Sequence, residues 1–368
     1  MTSRRAFIAG ALSAPVLMRL GGLAFAAPLP RLGDLAKQKG LFFGAAITSE
    51  QVTAADGYAA LLADQCGAYV AEWESKWGAI EWVRGHREYD SVDTIVAAAK
   101  SGGKMLRGHT LLWHFQLPPW ADDAVLGSSG AWDELVAPFI FETAKRYAGD
   151  IAQWDVVNEV IEPEWQEPDG LRVTPFLAMR GRGYIADAFH LAAAAAPDAR
   201  LYINEYDLCY AEDDQEKRRA AMLALLERLI ADGVPVHGLG LQTHLKIGRT
   251  FDASRYRAFL DDVAGLGLDL AITELDVGEG PDPKGDTATR DRRNADEVRK
   301  VLEVAFEQKR LTGIVTWSLG DAVSYTRVSG ESPDNRGLPF DEFLAPTAMH
   351  ATLADLFAQA DQRSAASS

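Results

Sequence analysis

Two carboxylates stand where they could share one substrate. Glu159 closes an apolar run over residues 151–159, and Glu274 lies near the end of a second over 269–277. At or just past the ends of similar runs come Glu72, Lys76 and Trp77, then His109, Trp113, His114 and Gln116. Asn158, Asn204, Glu205, Tyr206, Gln242, His244, Asp276 and Trp317 occupy equivalent places further on. Aromatic faces stack on sugar rings, and amides and charged groups bind hydroxyls. Two acidic side chains on separate elements are what acid-assisted cleavage of a glycosidic bond needs. Spacing adds detail. Glu274 and Asp276 are two apart on one strand and so share a face, and Gln242 and His244 repeat that spacing on the neighbouring run. His244 is therefore expected between Glu274 and Asp276, holding Glu274 ionised and aimed, which suits a nucleophile. Strict alternation would point Asn158 and Glu159 opposite ways, so periodicity alone leaves their relative direction open.

The elements that must position these residues repeat eight times. Strand-like runs cover 41–48, 68–74, 104–113, 151–159, 200–207, 238–245, 269–277 and 313–319. Between them, apolar residues at helical spacing predict helices over 92–100, 134–147, 184–196, 215–231, 255–264 and 289–308. Gly102 with Gly103, Pro197 and Gly265 punctuate their ends. Eight strand–helix units without a break in composition imply the α/β class and a (β/α)8 TIM barrel, a single domain over 28–360. An open doubly wound sheet would want a Gly-rich phosphate loop after an early strand, and Gly44-Ala45-Ala46 is not one. In a parallel barrel, functional groups gather at the C-terminal ends of the strands, where the candidate residues fall. The small, polar stretch 361–368 is expected to fray.

Composition bounds the partners. The chain carries 37 Lys+Arg against 53 Asp+Glu, a formal net charge of −16. That repels a polyanion such as nucleic acid, and no basic stripe offsets it. A neutral or weakly charged substrate fits better. The two cysteines, Cys66 and Cys209, fall at opposite ends of a barrel and are expected as free thiols. Residues 3–8 (SRRAFI) resemble a twin-arginine export motif, and an apolar stretch and a small-x-small pattern, Ala24-Phe25-Ala26, follow. Arg19, Gly21 and Gly22 interrupt that stretch, so it is too short to span a membrane. Residues 1–27 are expected to be a signal peptide, removed on export to the periplasm or medium. No cofactor motif is present. His109, His114 and His244 have no strand-one His-x-His beside them, and metal there would displace a sugar, so neither metal nor organic cofactor is expected. A monomer is expected. Trp82 and Trp132 read as packing residues, Asp207 and Asp321 stay unassigned, and helix 289–308 reads as a solvated face with i,i+4 pairs.

Taken together, RGHTLLWHFQLPPW (107–120), WDVVNEV (154–160), GLQTH (240–244) and ITELD (272–276) resemble the signature blocks of family 10 of the glycoside hydrolases, mainly endo-β-1,4-xylanases. INEY (203–206) and GLPF (337–340) are weaker matches, and the blocks run in family order from about residue 40 to 340. The resemblance implies a retaining mechanism, with Glu159 as general acid/base, Glu274 as nucleophile and the two carboxyls about 5–5.5 Å apart. It implies that Asn158 binds the 2-hydroxyl of the −1 sugar, with Lys76, His109, Trp113 and Gln242 lining that subsite. Glu72, Gln116 and Trp317 would serve the glycone side and Tyr206 the leaving-group side. Asp276 would support His244. Three positions depart from the family pattern: Trp73 replaces an asparagine, Phe115 a serine and Tyr325 a tryptophan. Tryptophan accepts no hydrogen bond and adds bulk, so an altered or partly blocked −2 subsite is expected, favouring short or substituted chains. Three functions are therefore weighed: an endo-acting β-1,4-xylanase, a retaining hydrolase or transglycosylase on another or substituted β-glycan, and a catalytically silent glycan-binding barrel.

Overall fold

Short runs rich in Val, Ile, Leu and Ala pair in parallel because the chain returns through a helix to the same edge after almost every strand. The computed structural model describes residues 29–363 apart from Ser129, Gln166 and 328–330. The expected leader, residues 1–27, and residues 364–368 lie outside the described residues.

The strands are β1 Phe42–Ile47, β2 Ala68–Ala71, β3 Met105–Leu112, β4 Gln153–Asn158, β5 Arg200–Glu205, β6 Gly238–Leu241, β7 His244–Lys246, β8 Asp269–Gly278 and β9 Leu311–Thr316. Neighbours pair in the order β6-β5-β4-β3-β2-β1-β9-β8, and β6 pairs again with β8, which closes eight staves into a barrel. Sequence periodicity placed one strand over 238–245. The structure breaks it after Leu241: Thr243 takes φ +60° and the chain resumes as β7, pairing His244 with Asp276. Closure is tight at Gly240, where an added Cβ would lie 2.3 Å from Asn204 Oδ1, so glycine there leaves room for the Asn204 amide.

Helices pack their apolar faces on the outside of the staves. The helix Asp90–Gly102 buries Val92, Ile95, Val96 and Ala99, one helical face, and ends on Gly103 at φ +60°, a conformation glycine takes without strain. Fully burying each such Val or Ile stabilises by about 1.5–3 kcal/mol. Within the barrel the interior is not wholly apolar: Arg107 is buried, 4.7 Å from the Tyr202 ring centroid and paired with Asp155.

Two expectations change. The helix Thr287–Glu307 is not simply a solvated face, since Arg290 and Arg293 turn inward to Glu279 at 2.6 and 3.1 Å while only further along does Arg299 pair with Glu303. Of the stretch expected to fray, 364–368 lie outside the described residues, but Arg363 is held: its N–H donates to the Lys39 carbonyl at 2.8 Å and its guanidinium to the Phe306 carbonyl at 2.6 Å. Composition sees a polar stretch and not the carbonyls it reaches. Cys66 and Cys209 are free and buried. Among the described residues no helix is long and apolar enough to cross a membrane.

Candidate active site

Parallel staves deliver all their C-terminal ends to one rim, and there the candidate residues meet. At the centre is Glu274 on β8, 5% exposed. Asn204 Nδ2 donates to its Oε1 at 2.6 Å, and His244 Nε2 lies 3.2 Å from its Oε2. The other ring nitrogen of His244 is 2.8 Å from Asp276 Oδ1. Register explains the bridge: His244 pairs with Asp276 across β7 and β8, and Glu274 lies two residues back on the same face. Burial alone would lower the His244 pKa, but Asp276 and Glu274 outweigh it and raise it well above the ordinary imidazole value. The ring is therefore an imidazolium donating to both carboxylates. Burial would likewise raise Glu274, yet His109, His244 and Lys76 overcome it and hold the carboxyl at about 2. Glu274 is ionised at any neutral or mildly acidic pH.

A second line of charge runs into the barrel. His109 Nδ1 sits 3.9 Å from Glu274 Oε1 and 3.0 Å from Asp155 Oδ2. Asp155 in turn receives Arg107, which also donates to Gln153 Oε1 at 2.9 Å. Each buried charge here has an opposite partner, which burial at this depth requires.

Glu159 follows β4 with φ +57°, a left-handed conformation uncommon for any residue but glycine. That turn breaks strand alternation and brings both Asn158 and Glu159 into the cleft, the direction periodicity left open. Gln242 Nε2 donates to Glu159 Oε1 at 3.1 Å and to Asn158 Oδ1 at 3.3 Å, and Asn204 Nδ2 donates to the same Asn158 oxygen at 2.9 Å. The amides of Gln242, Asn158 and Asn204 thus tie Glu159 to Glu274.

Lys76 is buried under two indoles, its Nζ 4.7 Å from the Trp113 ring centroid and 5.7 Å from that of Trp317. Its pKa is lowered by burial, against the pull of Glu274, Glu72 and Glu159. Trp317 meets the His109 ring edge-on at 5.2 Å. Glu72 and Gln116 line the same cleft, of about 590 Å³. Its rim carries Trp73, Phe115 and Tyr325, 46%, 59% and 53% exposed. Tyr206 opens instead on an adjoining pocket of about 410 Å³, which shares Glu159, Gln242 and His244 with the first. The cleft therefore continues past Glu159 on both sides. His114 leans on Phe115 with centroids 4.5 Å apart, and burial with Arg172 pushes it down to about 4, leaving it neutral. Among the described residues no group of three or more His, Cys, Asp or Glu is arranged to hold a metal ion.

Sequence reasoning left four contributors without a role. The sequence marks Asn204 only as a strand end, and Asp155 and Arg107 only within motif blocks. Polar residues within apolar strands are the available signal for all three. Arg172 lies in a segment without periodicity, and nothing local marks it.

The sequence model of glycosyl hydrolase family 10 matches residues 31–356. Endo-1,4-beta-xylanase 1 of Humicola insolens is 33% identical over 314 residues, 82% of this chain and 69% of that protein. Endo-1,4-beta-xylanase 3 of Hypocrea jecorina is 30% identical over 296 residues, 80% of this chain and 78% of that protein. Among solved structures, xylanase B of Clostridium stercorarium superposes with a TM-score of 0.79 at 29% identity, covering 89% of this chain and 99% of that one. The intracellular xylanase of Thermoanaerobacterium saccharolyticum superposes at 0.77 and 28% identity, with coverage of 89% and 99%.

Proposed function

We propose that this chain, which belongs to glycosyl hydrolase family 10, is an endo-acting β-1,4-xylanase that cleaves with retention through a covalent glycosyl-enzyme. The observation that carries the reading is a buried carboxylate ringed by His244, His109 and Lys76, which hold it at about 2, sharing one open-ended cleft with a second carboxyl just past another strand. Glu159 gives its proton to the leaving oxygen as the glycosidic bond breaks, while Glu274 attacks the anomeric carbon from the opposite face. Water then enters, Glu159 takes its proton, and the hydroxide displaces Glu274, leaving the configuration as it began. Asn158 binds the 2-hydroxyl of the −1 sugar, and Lys76, His109, Trp113 and Gln242 line that subsite. Glu72, Gln116 and Trp317 hold the glycone and Tyr206 the departing chain. Residues 3–8 and 24–26 support export by the twin-arginine route.

Reducing-sugar release from linear xylan, glucuronoxylan, arabinoxylan and β-glucan, measured side by side, tests the reading. Xylans should be cleaved well above β-glucan. Silence on all four would leave a glycan-binding barrel, and preference for β-glucan another sugar. The same assay probes the rim: Trp73→Asn should raise kcat/KM on unsubstituted xylohexaose relative to xylotriose by about tenfold, the scale of one well-made hydrogen bond. An unchanged chain-length dependence would remove Trp73 from the −2 subsite.

His244→Ala removes a cation from beside Glu274, so the carboxyl becomes harder to ionise. The acid limb of kcat/KM should then move to higher pH by at least about one unit, the scale set by losing an adjacent opposite charge. A limb that stays in place would mean that His244 does not hold the nucleophile ionised.

A further inference from the structure

The cleft explains what Glu159 faces but not what holds it there. A left-handed non-glycine residue is strained and persists only where its surroundings over-determine it. At Glu159 the backbone is gripped on both sides: its N–H donates to the Asn204 carbonyl at 2.9 Å, and its carbonyl receives Arg172 Nε–H at 2.8 Å. Arg172 reaches back because 160–162 and 170–172 form a short antiparallel ladder, with Arg172 N–H donating to the Val160 carbonyl and Glu162 N–H to that of Gly170, each at 2.8 Å. Its guanidinium is fixed in turn. Nη2 donates to the Tyr206 hydroxyl at 2.7 Å and pairs with Glu162 at 3.1 Å. Behind it, Arg218 from the helix Asp213–Ala231 binds the Ile161 carbonyl and Glu162, while Glu205 accepts the Ile161 N–H at 2.9 Å. Arg172, Arg218 and Glu205 are 5%, 5% and 0% exposed, and neither arginine lines the cleft.

We infer that Arg172 is a positioning residue for Glu159. It locks the left-handed turn that aims the proton donor at the leaving oxygen, without itself touching substrate. The inference rests on the reading of Glu159 as general acid. Planarity matters, because one guanidinium serves the Glu159 carbonyl with Nε and Tyr206 and Glu162 with Nη2, and a lysine ammonium on a flexible stem cannot hold all three in one plane. A donor displaced by about 1 Å can cost up to about 10²-fold, but only where a proton must be delivered.

The test is a ratio. For Arg172→Ala and Arg172→Lys, kcat/KM is measured on two aryl β-xylobiosides that put no sugar on the Tyr206 side: the 2,4-dinitrophenyl compound, whose phenolate departs unprotonated, and the phenyl compound, whose leaving oxygen needs the proton. Both constants report formation of the glycosyl-enzyme, and dividing one by the other on a single sample cancels any loss of folded protein. The ratio should rise at least about tenfold in both variants, with the phenyl substrate suffering the loss. A ratio unchanged from wild type, with both substrates falling together, would show Arg172 to be purely structural. Glu159→Ala run alongside separates the two ideas. If it raises the ratio and the Arg172 variants do not, the positioning inference alone fails; if it does not raise the ratio, the proton donor itself is misassigned and the inference goes with it.

Discussion

Glu274→Ala lowers xylan hydrolysis by on the order of 10⁴- to 10⁶-fold, the scale on which losing a nucleophile acts. The size follows from how much of the site is built around this one carboxylate. His244, His109 and Lys76 all favour its charge, and Asn204 fixes one of its oxygens at 2.6 Å. None of these groups can replace it as an attacking atom, since each is a donor or a cation. Circular dichroism should show the barrel intact, because the side chain lines the cleft and is not among the packed apolar residues. Azide added to this variant should restore turnover on an activated xylobioside and give the α-glycosyl azide, since the anion attacks from the face Glu274 vacates. Residual xylanase activity near wild type, or a β-azide product, would place the nucleophile elsewhere.

Glu159→Ala should behave differently. On xylopentaose kcat/KM should fall by about 10²- to 10⁴-fold, the usual contribution of a positioned acid. On the dinitrophenyl substrate it should stay within about tenfold of wild type, because that leaving group needs no proton. Turnover of the activated substrate should then stall at the glycosyl-enzyme for want of a base. Azide, which needs no deprotonation, should release it as the β-glycosyl azide. Opposite anomers from the two variants would distinguish the two carboxylates more sharply than any loss of rate, whereas equal loss on both substrates would remove Glu159 from the acid role.

Much of this was legible beforehand because barrel strands declare themselves in short apolar runs, and their ends are identifiable without knowing how the barrel closes. Glu274 and Asp276 two apart on a strand must share a face, and β8 runs unbroken from Asp269 to Gly278. Where the backbone leaves regular geometry, pattern reading stopped. Gln242 and His244 were assigned to one continuous strand, but Thr243 at φ +60° splits them, so Gln242 reaches Asn158 and Glu159 while His244 reaches Glu274 and Asp276. The bonds of Arg363 and the inward turn of arginines 290 and 293 do not show in the pattern for a related reason: what a polar side chain meets depends on atoms distant in sequence.

The amino-acid sequence by itself determined the family, the eightfold strand–helix repeat and the chemical types at the strand ends, because these depend on composition and on spacings of two and about 3.6 residues. Tertiary structure alone decided which way Glu159 points, how Asn204 joins it to Glu274, and that Arg172, 13 residues further on, holds its carbonyl. Those outcomes rest on a left-handed turn and on hydrogen bonds between separate strands and loops. No local periodicity encodes either, since both form only once the barrel has brought their partners together.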